Sequence, residues 1–326
     1  MKALLCHEFG PPDRLRFGEV ARPKPGARQV GIRVATASLN FPDVIIIEGK
    51  YQHRPPFPFS PGSEAAGIVT EVGSEVRHLH PGDRVAAFTL WGAFAEHCVA
   101  DENAVVKLPP YIDDVTAAAA VLVYGTALYG VQDRGRLRCG ETLLVLGAAG
   151  GTGVAAIGVG KALGARVIAA ASSEAKLTLC RASGADATIN YEEDDLRARL
   201  KELTEGRGPD VVFDPVGGAY SEAALRSLAW NGRLLVVGFA NGPIPKLPTN
   251  LALLMNREVI GVNWGLFAHQ EPQAHARHMT QLAEWLDSGR IKPVVTEVVG
   301  FDDLPAAIAR MGRRETMGKV VVRIAD

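Results

Sequence analysis

The chain has 326 residues, of which 47% are hydrophobic and 22% are charged, and its formal net charge is −1. This length and apolar content predict two domains, each with its own core. The balanced charge excludes the broad basic surface that binding to nucleic acid or to an acidic membrane would require.

The four cysteines are scattered along the chain, and none forms a Cys-x-x-Cys pair. This usage is typical of a reducing, cytoplasmic setting. The N-terminus turns polar at His7 and Glu8, too early for a signal peptide. No apolar run approaches the roughly 20 residues of a membrane span. We therefore expect a cytoplasmic protein without membrane contact.

Residues 1–110 have the pattern of a β-rich domain. Short apolar and β-branched segments alternate there with Pro and Gly, at 30–34, 65–72, 84–88 and 94–99. The stretch 40–61 is predicted to be a stiff extended loop because it holds closely spaced prolines, Pro55, Pro56, Pro58 and Pro61. Further on, Asp113 or Asp114 can cap a helix that runs through residues 117–120.

From Glu141 onward, strand and helix patterns alternate with short connections. This alternation predicts a doubly wound parallel sheet, an α/β fold. Six strands make a full dinucleotide-binding sheet. The predicted strands are 143–147, 166–171, 187–191, 210–214, 233–238 and 258–263, and the predicted helices are 153–163, 174–183, 194–205 and 220–229.

The last part of the chain reads as a return to the β-rich body. It holds a helix, a strand, a helix and a strand, at 273–286, 294–298, 304–311 and 319–324. The nucleotide-binding domain is therefore predicted to be inserted into the first domain. The expected divisions are 1–125, 126–262 and 263–326, with the substrate in a cleft between the two domains.

The stretch 141–153 carries the most specific signal. The apolar run 143–146 ends in a cluster of glycines at 147, 150, 151 and 153, and a helical pattern follows at 154–163. A strand, a tight glycine turn and a helix place a pyrophosphate at a helix N-terminus. Glycine also lets a phosphate approach the backbone without a Cβ in the way. The alternative is a glycine-rich turn without a ligand.

The end of the second strand indicates which nucleotide binds. NAD-specific sites usually place Asp or Glu there to hold the ribose hydroxyls. This chain has Ala171, Ser172 and Ser173 at that place, with Lys176 just beyond. Hydroxyls and an ammonium can bond a 2′-phosphate, which predicts NADP rather than NAD. Alternatively, the serines only cap the next helix and Lys176 is solvated.

Several short motifs follow one another along the chain. One is the glycine turn Ala148-Ala-Gly-Gly-Thr-Gly153, and the others are Ser38-Leu-Asn-Phe-Pro-Asp43, Glu48-Gly-Lys-Tyr51, Pro61-Gly-Ser-Glu-Ala-Ala-Gly67, Pro81-Gly-Asp-Arg-Val85, Tyr124-Gly-Thr-Ala127, residues 206–218 and Gly318-Lys-Val-Val-Val322. In this order they resemble the zinc-independent quinone oxidoreductases of the medium-chain dehydrogenase/reductase superfamily, whose fingerprint at the glycine turn is Ala-Ala-x-Gly-Gly-x-Gly.

The resemblance covers nearly the whole chain and implies a GroES-like β-rich catalytic domain at 1–125, a Rossmann NADP-binding domain at 126–262 and a C-terminal return at 263–326. It also implies NADPH-dependent reduction of quinones or other conjugated carbonyls. A homodimer joined through the Rossmann sheets is implied as well. The apolar segment 258–262, expected as the edge strand, is the predicted contact.

Zinc is not expected. A catalytic zinc ion takes about three protein ligands from Cys, His and carboxylates. By the resemblance, zinc-dependent relatives carry Cys where this chain has Asn40, and His where it has Ser63. Neither Asn nor Ser is a good zinc ligand.

Without a metal, hydrogen bonds must polarise the substrate carbonyl. Tyr51 supplies a hydroxyl donor and Asn40 an amide donor. The resemblance implies that Asn40 lies beside the nicotinamide, that Tyr51 projects into the pocket and that Asp43 holds the local geometry. Tyr51 as an aromatic plug, Asn40 as a turn-former and solvent as the proton source remain alternatives.

The resemblance also implies the other cofactor contacts. Thr126 and the glycine turn would contact the phosphates. The serines at 172–173, Lys176 and Tyr191 would contact the 2′-phosphate, and the remaining residues would contact the nicotinamide side. The full set is Asn40, Thr126, Ala149, Gly150, Gly151, Thr152, Gly153, Ser172, Ser173, Lys176, Tyr191, Phe239, Ala240, Asn241, Asn263 and Trp264. For Phe239 and Trp264 the alternative is packing at a strand end.

The sequence therefore predicts a zinc-independent oxidoreductase that transfers hydride from NADPH to a quinone or similar small conjugated carbonyl. The closest alternative on the same scaffold is reduction of an activated C=C bond in an enone, an alkenal or an enoyl or acrylyl thioester. A remote alternative is a non-enzymatic, nucleotide-binding or RNA-associated crystallin-like protein. The chain has no basic stripe or stacking cluster for nucleic acid.

Overall fold

The computed structural model describes residues 1–324, and the chain divides into two compact units. The first unit comprises Met1–Leu122, Gly265–Ala283 and the chain from Val295 onward. The second comprises Val123–Trp264 and Glu284–Val294. The segment Glu284–Val294 thus belongs to the second unit, whereas all of 263–326 is predicted from the sequence to belong to the first.

The elements are numbered in chain order. The strands are β1 Lys2–Leu5, β2 Arg16–Glu19, β3 Gln29–Ser38, β4 Glu64–Val72, β5 Arg84–Phe88, β6 His97–Asp101, β7 Val105–Lys107, β8 Thr142–Leu146, β9 Arg166–Ala171, β10 Ala187–Asn190, β11 Val211–Asp214, β12 Arg233–Val236, β13 Glu258–Gly261, β14 Val295–Gly300 and β15 Lys319–Arg323. The α-helices are α1 Phe41–Ile47, α2 Asp114–Ala118, α3 Val121–Leu128, α4 Gly151–Ala162, α5 Glu174–Ala182, α6 Leu196–Leu203, α7 Ala219–Ser227, α8 Asn250–Met255, α9 Trp264–Gln270, α10 Pro272–Asp287 and α11 Leu304–Gly312.

The first unit is built on a seven-stranded sheet with the strand order β14-β15-β3-β4-β5-β7, in which β6 also pairs with β3. Strands β1 and β2 form a separate antiparallel pair. The long strands β3 and β4 run antiparallel to each other. Their inward-facing residues, such as Ile32, Val34 and Val69, join one buried apolar cluster with Val85 and Val320. Strand β15 therefore brings the C-terminal segment into the same core as the N-terminal strands.

The predicted stiff extended loop over 40–61 is wrong at its beginning, because residues 41–47 form helix α1. At the third position of this helix, Asp43 accepts the backbone N–H of Asn40 at 2.8 Å. Pro42 lies in the first turn, where a helix has no use for the missing N–H. An acidic residue three positions after the cap is a helix-start signal. This signal, and not the prolines, determines the structure of residues 41–47, because the closely spaced prolines begin only at Pro55.

The second unit confirms the predicted doubly wound parallel sheet. Its six strands run parallel in the order β10-β9-β8-β11-β12-β13. This is the order 3-2-1-4-5-6 of a dinucleotide-binding sheet. The central strands β8 and β11 are buried along their whole length, as expected for a parallel sheet covered on both faces.

Helices α4 to α7 lie where the sequence pattern predicts helices, with boundaries that differ by at most two residues. Strands β1, β2 and β7 and helices α8 and α9 were not predicted. None of the helices within residues 1–324 is both long and apolar enough to cross a membrane.

Candidate active site

Most of the predicted cofactor residues follow the strands of the six-stranded sheet. Because these strands run parallel, the segments after them leave the same edge of the sheet. They are residues 147–153 after β8, 172–176 after β9, 191 after β10, 239–241 after β12 and 263–264 after β13. Open α/β sheets bind ligands at this carboxyl edge, where the strand order reverses. Here the reversal lies between β8 and β11.

The glycine turn after β8 leads directly into the twelve-residue helix α4. Gly147 has a φ of +56°, which favours glycine, and a Cβ on Gly153 would lie 2.5 Å from the Gly147 carbonyl oxygen. No side chain caps the start of α4, and no acidic residue lies in its first turn. The first-turn N–H groups, among them those of Gly151 and Thr152, are therefore suited to an anionic group.

At the end of β9 an ammonium meets a hydroxyl. Lys176 Nζ donates to Ser172 Oγ at 2.9 Å. Ser173 caps helix α5 by accepting the Lys176 backbone N–H at 3.5 Å. The capping alternative is therefore correct for Ser173. It leaves the paired Lys176 and Ser172 side chains as the phosphate-type donors of this strand end.

Tyr191 packs against Tyr220, which was not predicted as a site residue. Its ring centroid lies 4.4 Å from that of Tyr220, with the two rings tilted by 39°. The Tyr220 hydroxyl donates to Glu192 at 2.9 Å. The sequence carries no signal for this contact, because Tyr220 belongs to a different strand–helix connection. The two rings together form an aromatic wall at the end of β10.

The turn after β11 is fixed by the buried carboxylate of Asp214, which was also missed. One of its oxygens accepts the N–H groups of Val216 and Gly217, each at 2.9 Å, and the other accepts the Ser221 hydroxyl. Gly217 and Gly218 have φ values of +75° and +65°, which other residues rarely adopt. The signal was present in the sequence, since Asp followed by Pro and Gly typically bonds its own backbone two residues on.

Residues 239–241 are held against this turn. The Ala240 N–H donates to the Pro215 carbonyl at 3.1 Å, and the Asn241 N–H donates to the Val216 carbonyl at 2.8 Å. A Cβ on Gly217 would lie 3.0 Å from the Phe239 ring. The β11 turn thus positions Phe239, Ala240 and Asn241, three of the residues predicted on the nicotinamide side.

Trp264 is only 3% exposed and packs against Gly125 of helix α3. A Cβ on Gly125 would lie 2.6 Å from the indole ring. This geometry supports the packing role that the sequence left open for Trp264. Thr126 is half-buried on the same helix, and Asn263 is exposed. Cofactor contacts at Thr126, Asn263 and Trp264 stay predictions.

A buried polar cluster lies in the first unit, and we call it the Asn40 cluster. Its members are at most 4% exposed and are Ser38, Asn40, Asp43, Ser63, Glu64 and Lys319. The Asn40 amide nitrogen lies 3.0 Å from Glu64 Oε1 and 3.3 Å from Ser63 Oγ. The Asn40 amide oxygen accepts Lys319 Nζ at 2.7 Å. Both ends of the amide therefore have partners inside the chain, and its role as a donor to a substrate stays a prediction.

Glu64 and Lys319 form the charged pair of this cluster. Lys319 Nζ donates to Glu64 Oε1 at 2.7 Å, and the other Glu64 oxygen accepts the Leu122 N–H at 2.7 Å. A buried ion pair needs this degree of hydrogen bonding to offset its lost hydration. Neither residue was predicted from the sequence as a site member, and each is the first residue of its strand, β4 or β15.

Burial raises the pKa of Asp43 to about 7, against the lowering effects of hydrogen bonds from the Asn40 backbone and the Ser63 hydroxyl and of the Lys319 charge. Burial, followed by the charge of Asp43, raises the pKa of Tyr51. Tyr51 is half-buried against the apolar core. Its hydroxyl makes no hydrogen bond with any of residues 1–324, and its role as a donor to a ligand stays a prediction.

Two families match the chain. The family described as "Alcohol dehydrogenase GroES-like domain" matches residues 26–110, and that described as "Zinc-binding dehydrogenase" matches residues 151–281. These matches confirm the predicted GroES-like and nucleotide-binding parts. Within residues 1–324, no three His, Cys, Asp or Glu side chains are grouped so as to hold a metal ion.

Similar proteins carry related names. The chain is 37% identical over 324 residues to "Quinone oxidoreductase-like protein 2" of Mus musculus, covering 99% of this chain and 92% of the relative. It is 35% identical over 318 residues to "Quinone oxidoreductase" of Pseudomonas aeruginosa, covering 96% and 97%. The Escherichia coli quinone oxidoreductase solved in complex with NADPH is 28% identical with a TM-score of 0.93, covering 99% and 100%. The chain therefore belongs to the quinone oxidoreductase family of the medium-chain dehydrogenases/reductases.

Proposed function

We propose that this protein is an NADPH-dependent oxidoreductase that reduces a quinone or a similar conjugated carbonyl without zinc. The observation that carries the choice of cofactor is the end of β9. There, Lys176 and Ser172 present an ammonium and a hydroxyl 2.9 Å apart, in the place where NAD-specific sites hold a carboxylate. The names of the relatives support quinones as acceptors.

The residues of the second unit fit a dinucleotide. The uncapped start of α4 suits the pyrophosphate, and Lys176 with Ser172 suits the 2′-phosphate. The aromatic wall of Tyr191 and Tyr220 supplies an apolar surface beside them. When bound, NADPH supplies the hydride. The chain's own residues bind it and orient it.

Tyr51 is the proposed donor to the carbonyl oxygen. Negative charge grows on that oxygen as the carbonyl is reduced, and a donor already in place lowers the barrier. Burial, followed by the charge of Asp43, raises the pKa of this phenol, which disfavours loss of its proton. Asn40 is proposed as the second polar group of this site and Asp43 as the residue that holds its backbone.

Zinc does not fit the donors of the Asn40 cluster. Asn40 and Ser63 offer an amide and a hydroxyl, which bind zinc poorly. The Asn40 amide oxygen and Glu64 Oε1 already accept the Lys319 ammonium, each at 2.7 Å. A second cation at these oxygens would face the repulsion of that charge. This supports a reaction that the protein's hydrogen-bond donors assist without a metal.

The proposal is tested by steady-state oxidation of NADPH over a panel of quinones, enones and acyl-CoA esters. Turnover with quinones supports it. Turnover confined to enones or thioesters would assign the protein to reduction of activated C=C bonds. No turnover with any acceptor, despite tight NADPH binding, would contradict an enzymatic role.

A further inference from the structure

The buried Lys319 ammonium has a hydrogen-bond acceptor for each of its three protons. Its three acceptors are the Leu39 carbonyl at 3.1 Å, Asn40 Oδ1 at 2.7 Å and Glu64 Oε1 at 2.7 Å. An ammonium has three protons to donate, so the residue is saturated although it is only 2% exposed. A buried charge is costly unless it is paired and hydrogen-bonded in this way. Charge compensation of Glu64 explains one of these three bonds, but it does not explain the bond to Asn40.

The charged pair distinguishes the two ends of the Asn40 amide. A lysine ammonium can only donate, and an ionised carboxylate can only accept. The amide oxygen therefore faces Lys319, and the amide nitrogen faces Glu64 at 3.0 Å. A flipped amide would place N–H groups against the ammonium and an oxygen against the carboxylate. The pair thus selects one of the two orientations that an asparagine side chain can adopt.

We infer that Lys319 is a positioning residue for the reduction, which it serves by fixing the orientation of the Asn40 side chain. This inference rests on the proposed function, which places Asn40 among the polar groups of the reaction. Lys319 is the first residue of β15, and that strand pairs antiparallel with β3, which ends at Ser38. The rigid strand pairing therefore holds the ammonium at a fixed distance from the start of helix α1.

The test is a double-mutant cycle in a Glu64→Gln background, so that removing the ammonium leaves no buried carboxylate without a partner. The four proteins carry Glu64→Gln alone, with Lys319→Met, with Asn40→Ala and with both. We expect each added change to lower kcat for a quinone about tenfold. Because Lys319 acts through Asn40, the two changes together should lower kcat no further than either alone. The Kd for NADPH should stay within twofold on Lys319→Met, since the proposed phosphate contacts Ser172 and Lys176 lie in the second unit.

The control is the pair Arg233 and Glu141, whose side chains lie 2.7 Å apart and are also mostly buried. The double variant Arg233→Met with Glu141→Gln removes a comparable ion pair in the second unit. We expect its kcat to remain within twofold of the wild type. Wild-type turnover measured in parallel separates the two questions, because a wild type without turnover contradicts the proposed function itself.

Three results would overturn the inference in an active protein. One is an unchanged kcat on Lys319→Met, and another is a set of losses that multiply in the combined variant. The third is a wild-type kcat in Lys319→Arg, made in the otherwise wild-type chain. This variant replaces Lys319→Met in the test if the Met variants lose their cooperative thermal transition. Arg keeps the charge but cannot place a compact ammonium at all three acceptors. A normal thermal transition with reduced kcat supports the inference, and wild-type kcat contradicts it.

Discussion

The buried carboxylate of Asp43 accepts the backbone N–H of Asn40 at 2.8 Å. The same carboxylate lies with Ser63, Glu64, Lys319 and Tyr51 as its polar and charged neighbours. One acidic residue therefore ties the start of helix α1 to the charged pair of the cluster. Protonation of this carboxylate can be detected by measuring the free energy of unfolding as a function of pH.

The first prediction concerns stability against pH. The pKa of Asp43 is raised to about 7 from 3.8, so between these values the folded protein binds a proton that the unfolded chain has released. The free energy of unfolding contributed by this group is then fully present below about pH 4 and falls as pH rises towards 7. The whole effect amounts to up to about 4 kcal/mol, at about 1.4 kcal/mol per pKa unit.

Asp43→Asn removes this titration. Urea unfolding at a series of pH values should show the stability difference between wild type and variant shrinking or reversing as pH rises from 4 to 7. A difference that is constant over this range would show that Asp43 titrates with an ordinary pKa.

The second prediction concerns Tyr51. Tyr51→Phe removes the hydroxyl but keeps the ring against the core. Loss of one donor to a developing oxyanion lowers kcat, and we expect a fall of about tenfold or more on quinones. The Kd for NADPH should hardly change. Full turnover in the variant would instead make Tyr51 an aromatic plug.

The third prediction concerns Lys176. A hydrogen bond to a charged group contributes about 1.5–3 kcal/mol, so Lys176→Ala should weaken NADPH binding roughly 10–100-fold. NADH lacks the 2′-phosphate, and its binding should stay the same. Raising the salt concentration should weaken NADPH binding more than NADH binding. Fluorescence titration measures all three effects, and equal weakening of both cofactors would refute the assignment of NADP.

The fourth prediction concerns metals. Dialysis of the purified protein against a strong chelator should leave kcat unchanged, because the Asn40 cluster carries Lys319 as its cation. Metal analysis should find less than one zinc per chain. Stoichiometric zinc together with chelator-sensitive turnover would overturn this prediction.

The fifth prediction concerns assembly. Strand β13 is the edge of the six-stranded sheet, and Val259 on it is 48% exposed. An open apolar edge favours pairing with a second copy, so light scattering should give about twice the chain mass of 34.7 kDa. Val259→Lys should shift the protein towards the monomer. The matched control is Val298→Lys, at a 42% exposed valine on the edge strand β14. A wild type that remains monomeric at micromolar concentration would contradict the dimer.

The parallel sheet was predictable because each of its strands has a recognisable pattern in its own short stretch of sequence. Strands buried on both faces have the pattern of short apolar runs. Four of the six predicted strands begin at the observed start, and the other two, β8 and β11, begin within one residue of it. The glycine turn and the Ser172–Lys176 stretch were equally local. Helix α1 was mispredicted because the later prolines outweighed a capping signal of only two residues.

The charged pair of the Asn40 cluster could not be predicted from sequence patterns. Glu64 and Lys319 are 255 residues apart, and a pattern along the chain gives no distance between them. Asp214 shows the intermediate case. Its turn was readable from the sequence around it, while its bond to Ser221 depends on where helix α7 packs.

The long separation between Lys319 and Asn40, 279 residues along the chain, has a consequence during synthesis on the ribosome. A nascent chain that has passed Gly261 already contains every strand of the parallel sheet. At that stage Glu64 still has no cation, and an unpaired buried carboxylate opposes folding. The first unit can therefore close only when its final strand is made, so the cluster with the proposed chemistry is completed last.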